Sequence, residues 1–404
     1  MKNKNNNKYM NNFKLQYGEV LTSLEGVCYL LDQLPTECWS NPNLTWLDIG
    51  AGTGHIINEV IKRLHVGLKD YIKDYNERDK HIRENMIYMC EVNPYHKETL
   101  LEISKNLYED VFNLEKKFDI VVSNPPYVIQ GQKKTPSKKN ISKKNDGKTV
   151  WPSFVEKAFS LSYLYCSLII PPLWMRDNPG NARETIVKNL YKCRCLDFYN
   201  ANKIFFKKGQ TPVSIITLSK SVDSSFFYDK SYIIFNPINN IFPMDNYDII
   251  NKLIPYIEEY GHIKAIKTNL PSKNIKFSDI QSKQYPHKNI KTTLLTGTVY
   301  NYSNKPLNYR YPKIVLAHKS IGLPFYDEEG LGLSTRDNYI IESDSSILLE
   351  FLKSDFVKRI FESFRYRMRF LEKEVFLYLP RVDLIPYFPE IINDETLNFF
   401  FQNK

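Results

Sequence analysis

The stretch from residue 45 to 64 constrains the fold more than any other. Thr45-Trp46-Leu47-Asp48-Ile49 has the make-up of a short apolar strand, and Gly50-Ala51-Gly52-Thr53-Gly54 ends it in a tight turn. Ile56, Ile57, Val60, Ile61 and Leu64 follow at the 3.6-residue period of a helix with one apolar face. Strand, glycine turn, helix is the opening of a doubly wound α/β sheet. Upstream, Thr22-Ser23-Leu24-Glu25 has the form of a capping box, and Val27, Leu30, Leu31 and Leu34 continue it as a helix closed by Pro35.

The alternation continues. Residues 86–90, 107–111, 118–122, 167–170, 195–199 and 213–218 read as strands, and residues 154–165 as a helix. Residues 69–85 are so charged that they read as an exposed extension. One parallel-rich α/β domain is therefore expected over residues 1–235. Asparagines with Pro237 and Pro243 mark a linker near 236–246, and a second, mixed α+β domain is expected over 236–404. Within it, residues 261–319 carry eleven Lys/Arg against one acid, Asp279, interleaved with Tyr285, Tyr300, Tyr302, Tyr309 and Tyr311. Residues 345–375 read as helix.

The formal net charge of +10 favours an anionic partner, although Lys/Asn enrichment alone accounts for part of it. Cys28, Cys38, Cys90, Cys166, Cys193 and Cys195 include no CxxC pair and have no histidine cluster beside them, which argues against a metal site or a disulfide framework. They read as reduced thiols of an intracellular protein. No apolar run reaches the roughly 20 residues of a membrane span, and the first residues lack the apolar core of a secretory signal, so a soluble protein without a membrane partner is expected.

In an open α/β sheet, ligands bind outside the carboxyl ends of the strands. Three polar motifs fall there. Gly50, Gly52 and Gly54 allow the backbone to approach a ligand; their GxGxG spacing suits a nucleotide cofactor, a nicotinamide included, or a plain tight turn. Glu91 ends the second strand, where a carboxylate can accept both ribose hydroxyls of a nucleoside or simply be solvated. Asp110 can bond an adenine amino group or serve as a turn residue. Asn124-Pro125-Pro126-Tyr127 is the informative motif. An amino nitrogen conjugated to a ring is a poor nucleophile because its lone pair is delocalised. Two acceptors aimed at its N–H bonds, the Asn124 amide oxygen and the Pro125 carbonyl, favour a pyramidal and more nucleophilic nitrogen. The prolines stiffen the backbone and remove competing donors, and Tyr127 offers a flat face to a base.

These residues resemble the Asn-Pro-Pro-Tyr amino-methyltransferases, and more closely the adenine-N6 DNA methyltransferases of the gamma arrangement, as in type II restriction–modification systems and large DNA viruses. The resemblance implies a Rossmann-like sheet that binds S-adenosyl-L-methionine, followed by a target-recognition domain. It makes Tyr17-Gly18-Glu19-Val20-Leu21-Thr22 the first motif, with Thr22 at the cofactor. Asp48, Gly50, Gly52 and Gly54 correspond to the cofactor loop, Glu91 to the ribose ligand, Asp110 to the adenine contact, Asn124 to Tyr127 to the catalytic motif, and Phe206 to a second aromatic against the base. Ile49 and Ser23 stand where the family often has proline. The implied substrate is an adenine flipped out of duplex DNA. Lys133, Lys134, Lys138 and Lys139, in a loop with seven lysines over residues 131–148, are candidate phosphate contacts, as are Lys313, Lys319 and Arg336. A cognate restriction endonuclease is an expected partner, and a stand-alone monomer is the favoured state.

The same motif also serves enzymes that methylate RNA amino groups or a glutamine side chain. The position of Asp48 only 47 residues into the chain, with the extra mass basic and C-terminal, favours DNA. A non-catalytic DNA-binding homologue is the rival of a different class, and the intact motifs argue against it.

Overall fold

The computed structural model describes residues 17, 21–129, 147–176, 180–205, 212–220, 227–228, 234–235, 237–319, 321–367 and 370–402. The chain divides into two compact units, residues 1–234 and 235–404.

The first unit is built on seven strands: β1 (Trp46–Asp48), β2 (Ile87–Cys90), β3 (Leu107–Tyr108), β4 (Phe118–Ser123), β5 (Ser162–Ile170), β6 (Leu190–Leu196) and β7 (Val213–Ser219). Their order across the sheet is β3-β2-β1-β4-β5-β7-β6. The first five run parallel, and β7 runs antiparallel to both of its neighbours. The order reverses at β1, which lies between β2 and β4, so the ligand crevice of such a sheet opens above the ends of β1 and β4. Strands buried on both faces are rich in apolar residues: β1 and β7 are buried throughout and β4 at every residue but Asp119.

Helix α1 (Leu24–Leu31) precedes the sheet, and α2 (His55–Gly67) follows the glycine turn. Helix α2 buries Ile56, Ile57, Val60, Ile61 and Leu64, the face its periodicity predicts. The doubly wound α/β expectation is thus borne out.

Four local expectations are corrected. The cap of α1 is Ser23, whose hydroxyl accepts from the Gly26 amide at 3.1 Å, so Thr22 is left outside the helix. Residues 69–85 are more than an exposed extension: α3 (Tyr75–His81) leads into a wide turn, and Arg78 and Ile82 are buried in it. After α4 (Lys97–Ile103), helix α5 (Trp151–Leu161) ends four residues early, because residues 162–165 join β5 beside β4. The strand expected at 195–199 begins earlier. Beyond α6 (Asn181–Asn189), β6 stops at Leu196, and the Asp197 carboxylate accepts from the Asn200 amide at 2.7 Å to start α7 (Phe198–Ile204).

In the second unit, α8 (Tyr247–Tyr260) precedes β8 (Ile266–Lys267), β9 (Phe277–Ser278), β10 (His287–Leu294), β11 (Gly297–Ser303), β12 (Lys313–Ala317), β13 (Phe325–Asp327), β14 (Gly332–Leu333) and β15 (Asn338–Ile341). They form two four-stranded sheets, ordered β8-β15-β12-β13 and β9-β11-β10-β14. The expected helix over 345–375 is instead α9 (Ser346–Lys353) and α10 (Asp355–Ser363), divided where the Ser354 hydroxyl caps the second, followed by a 3-10 turn at Lys373–Tyr378. Together with α11 (Asp394–Gln402) they enclose Phe351, Phe356, Phe388 and Phe401. Among the described residues no helix is long and apolar enough to cross a membrane.

Candidate active site

The crevice is organised from beneath by Asp48, the last residue of β1. One of its oxygens accepts from the Gly50 amide at 3.0 Å and from the Ser123 hydroxyl at 2.9 Å. One carboxylate therefore ties the glycine turn to the end of β4, one residue before Asn124. Asp48 has no exposed surface, its second oxygen is buried without a hydrogen-bond partner, and burial pushes its carboxyl up to about 7 against the opposing pull of Gly50 and Ser123. It does not line the cavity, so its place is that of a brace for the turn.

Above it lies a cavity of about 530 Å³. Thr22, Gly50, Gly52, Glu91, Asp110, Asn124 and Pro126 all line it. The motifs of three strand ends and the segment before α1 thus meet around one space. Glu91 accepts the Gly52 amide on one oxygen and the Asn93 amide on the other, each at 2.7 Å, which fixes the carboxylate at the cavity wall. Asp110 accepts the Phe112 amide at 2.9 Å and stands exposed at the rim.

Asn124 is oriented. Its amide nitrogen donates to the Thr22 hydroxyl at 3.0 Å, and Thr22 is itself buried. The Thr22 carbonyl lies 3.1 Å from Nδ1 of His55, the first residue of α2. With Nδ2 engaged by Thr22, the acceptor oxygen of Asn124 is the end left for another partner.

Other expected residues fall elsewhere. Gly54 is not in the cavity wall. Its φ of +82° and the Ile103 side chain, 2.4 Å from where a Cβ would stand, account for the glycine. Gly52, at φ +53°, has nothing within 4 Å of that position and so leaves the cavity side open. Pro125 is buried and Tyr127 half-buried, and neither lines the cavity; burial holds the Tyr127 hydroxyl well above its usual ionisation range. Phe205 packs its ring where a Cβ on Gly26 would stand and belongs to the core, while Phe206 lies outside the described residues, as do Lys133, Lys134, Lys138 and Lys139.

Lys313 requires correction as a phosphate contact. It is fully buried, and its ammonium donates to Asp327 at 2.5 Å and to the carbonyls of Tyr311 and Leu331 at 2.9 and 2.8 Å. Tyr300, Tyr309 and Tyr311 pack on the small core around Ile290, Val315 and Ile340 rather than standing free. Lys319 and Arg336 are exposed.

Sequence reasoning missed the apolar walls. Val92, Phe112 and Phe154 line the cavity; Val92 and Phe112 are exposed apolar residues one and two positions after Glu91 and Asp110, and the rings of Phe112 and Phe154 meet edge-on at 5.1 Å. An apolar residue following a strand-end acid was the available signal.

A cavity of this size, with an acid fixed on one wall, an open glycine turn and flat apolar flanks, fits a nucleoside-bearing cofactor. Residues 42–205 match the family described as Eco57I restriction-modification methylase. That segment holds the glycine turn, Glu91 and the Asn-Pro-Pro-Tyr corner, so the resemblance read from those motifs is borne out. An uncharacterised adenine-specific methylase of Mycoplasma pneumoniae is 25% identical, the similarity covering 42% of this chain and 60% of that one. The chain thus spans about three fifths of the length of the curated relative it matches. Similar solved structures include a modification subunit of a putative type I restriction enzyme from Vibrio vulnificus, 12% identical with a TM-score of 0.37 over 60% of this chain and 53% of that one. The type IIG restriction endonuclease BpuSI is 13% identical with a TM-score of 0.42, over 95% of this chain and 60% of that one.

Proposed function

We propose that the protein is an S-adenosyl-L-methionine-dependent DNA methyltransferase that methylates N6 of an adenine flipped out of duplex DNA. The observation that carries this reading is the Asn124 amide, which is tied through its nitrogen to Thr22 at the wall of the cavity that Gly50, Gly52 and Glu91 also line.

The residues present suit the cofactor. Glu91 is fixed at the cavity wall by the Gly52 and Asn93 amides, where its carboxylate can accept the ribose hydroxyls. Val92 and Phe112 supply apolar surface for a purine, and Asp110 a rim acceptor for its amino group. When bound, the cofactor supplies a methyl group made electrophilic by its sulfonium. Asn124 then accepts one N–H of the adenine amino group, and the Pro125 carbonyl accepts the other. Holding both N–H bonds draws the nitrogen lone pair out of conjugation. Alignment and electrostatics, not a strong general base, supply most of the acceleration. The adenine must leave the helix for its amino group to be reached. Phe206 is assigned as a second aromatic against it, and the second unit as the target-recognition domain, with exposed cations on phosphates. A cognate restriction endonuclease remains the proposed partner in the same system.

The test is incubation with methyl-labelled cofactor and equal masses of genomic DNA, total RNA and cell protein. Label in DNA alone supports the reading. Label in RNA or protein, or in none of them, overturns it.

A further inference from the structure

Four segments of the second unit converge at one end of its first sheet. Lys267 stands opposite Tyr339 in the pairing of β8 with β15, and Thr268 binds the carbonyls of Asn338 and Thr335 at 3.0 and 2.8 Å. His318 follows β12; its amide donates to the Asp337 carbonyl at 2.7 Å and its carbonyl accepts from Leu371 at 2.8 Å. Residues 267, 318–319, 335–337, 367 and 370–372 therefore share one neighbourhood, in which Lys267, Lys319, Arg336 and Arg367 stand near Asp337 and Glu372.

The two acids are committed. Lys319 holds Asp337 at 2.6 Å, and Arg367 holds Glu372 through two bonds of 2.9 and 3.2 Å. Lys267 has a neutral partner instead, for its ammonium lies 3.0 Å from Nε2 of His318. That ring is 93% buried, stacked on Phe370 at 5.2 Å and edge-on to Tyr339 at 5.4 Å, and its Nδ1 has no hydrogen-bond partner. Burial first, then the Lys267 charge, pushes the ring down to about 4, so it stays uncharged. Arg336 is exposed, and among the described residues it makes no ion pair.

A carboxylate in the place of His318 would hold Lys267 and cancel its charge. A neutral imidazole holds the ammonium and leaves the charge available. Like charges kept together while the nearby acids are engaged elsewhere are suited to an incoming anion.

We propose that Lys267 and Arg336, with His318 as the positioning ring, form a seat for a backbone phosphate of nucleic acid. This rests on the DNA-methylating reading above and goes beyond it by naming Lys267 and His318, which the sequence did not single out, and by removing Lys313. Lys267 keeps two ammonium hydrogens for phosphate oxygens, and the Arg336 guanidinium offers a planar fork.

The test is duplex binding by the full chain, followed by fluorescence anisotropy across a salt series. One phosphate contact contributes about 0.9 to the slope of log affinity against log salt. Lys267→Gln with Arg336→Gln is expected to flatten the slope by about one and to weaken binding about tenfold near 0.1 M salt. Lys62→Gln, at an exposed lysine of α2 in the first unit, should leave both unchanged. Unchanged cofactor-induced thermal stabilisation in the double variant shows that the fold is intact. A double variant with wild-type slope and affinity overturns the seat, as does an equal loss in Lys62→Gln. A wild-type protein that fails to bind duplex at all overturns the nucleic-acid reading first and the seat with it, and the wild-type curve distinguishes the two failures.

Discussion

The crevice of the first unit and the basic face of the second make opposite use of charge. In the crevice, each acid is fixed by backbone donors from its own motif: Asp48 by Gly50, Glu91 by Asn93, Asp110 by Phe112. In the second unit the role of a lysine depends on residues far along the chain. Lys313 is buried against Asp327, whereas Lys267 is held by a neutral His318 that lies 51 residues away. A contiguous motif carries its geometry with it. An isolated cation does not, because only the folded surroundings decide whether it is neutralised.

The largest effect expected from breaking this contrast is at Asn124. Asn124→Ala should lower methyl transfer by about a thousandfold or more, on the scale of losing one pre-organised group aimed at the reacting atom. Calorimetry should find cofactor binding nearly unchanged. Equal loss of both would mean that Asn124 supports the cavity and not the reaction.

On the other side of the contrast, Lys313→Ala leaves Asp327 as an unpaired buried charge. Removing one partner of such a pair costs about 3–5 kcal/mol. Denaturant unfolding should register the loss, while the salt slope of DNA binding in the folded fraction stays at the wild-type value. A flattened slope would return Lys313 to the DNA surface.

Thr22→Val sharpens the reading of the crevice. It removes the acceptor for the amide nitrogen of the half-buried Asn124; water in the cavity can take up the freed N–H at little cost in stability, and the lost orientation, about one hydrogen bond of 0.5–1.5 kcal/mol, should slow transfer roughly two- to tenfold. The rate constant for transfer should fall with the melting temperature unchanged, and Thr22→Ser should restore it. No recovery in the serine variant would assign the loss to packing.

The last effect is a pH dependence at Asp48. Its carboxyl is raised to about 7 in the folded chain from 3.8. A raised acid binds its proton more tightly when folded, so its penalty is absent below about pH 4, grows as pH rises, and is complete above about 7. Asp48→Asn should remove that slope, so that the stability difference between variant and parent widens in the variant's favour from pH 4 to 7 in parallel chemical denaturations. Parallel curves across that window would contradict the burial account.

The first unit was legible where local chemistry settles the fold. The apolar runs of β1 and β4, the period of α2 and the Asn-Pro-Pro-Tyr corner all stand where the residues imply. Boundaries failed where a single side chain intervened. Ser23 took the cap expected of Thr22 and freed Thr22 for Asn124, and Asp197 began a helix inside an expected strand. The roles of Asp48 and Gly54 were misjudged because both belong to the cofactor-loop motif but lie behind its surface, one bracing and one packing. Val92 and Phe112 were overlooked because polar residues draw attention at strand ends, although a purine needs apolar walls. In the second unit, the basic composition was legible, but the neutral partner that leaves Lys267 charged was not.

The most direct test of the central claim is nucleoside analysis of duplex DNA after exposure to the cofactor and either the parent protein or Asn124→Ala. N6-methyladenine formed by the parent and absent with the variant is the expected result. Methylation at another atom, or N6-methyladenine formed equally by both proteins, would contradict the account.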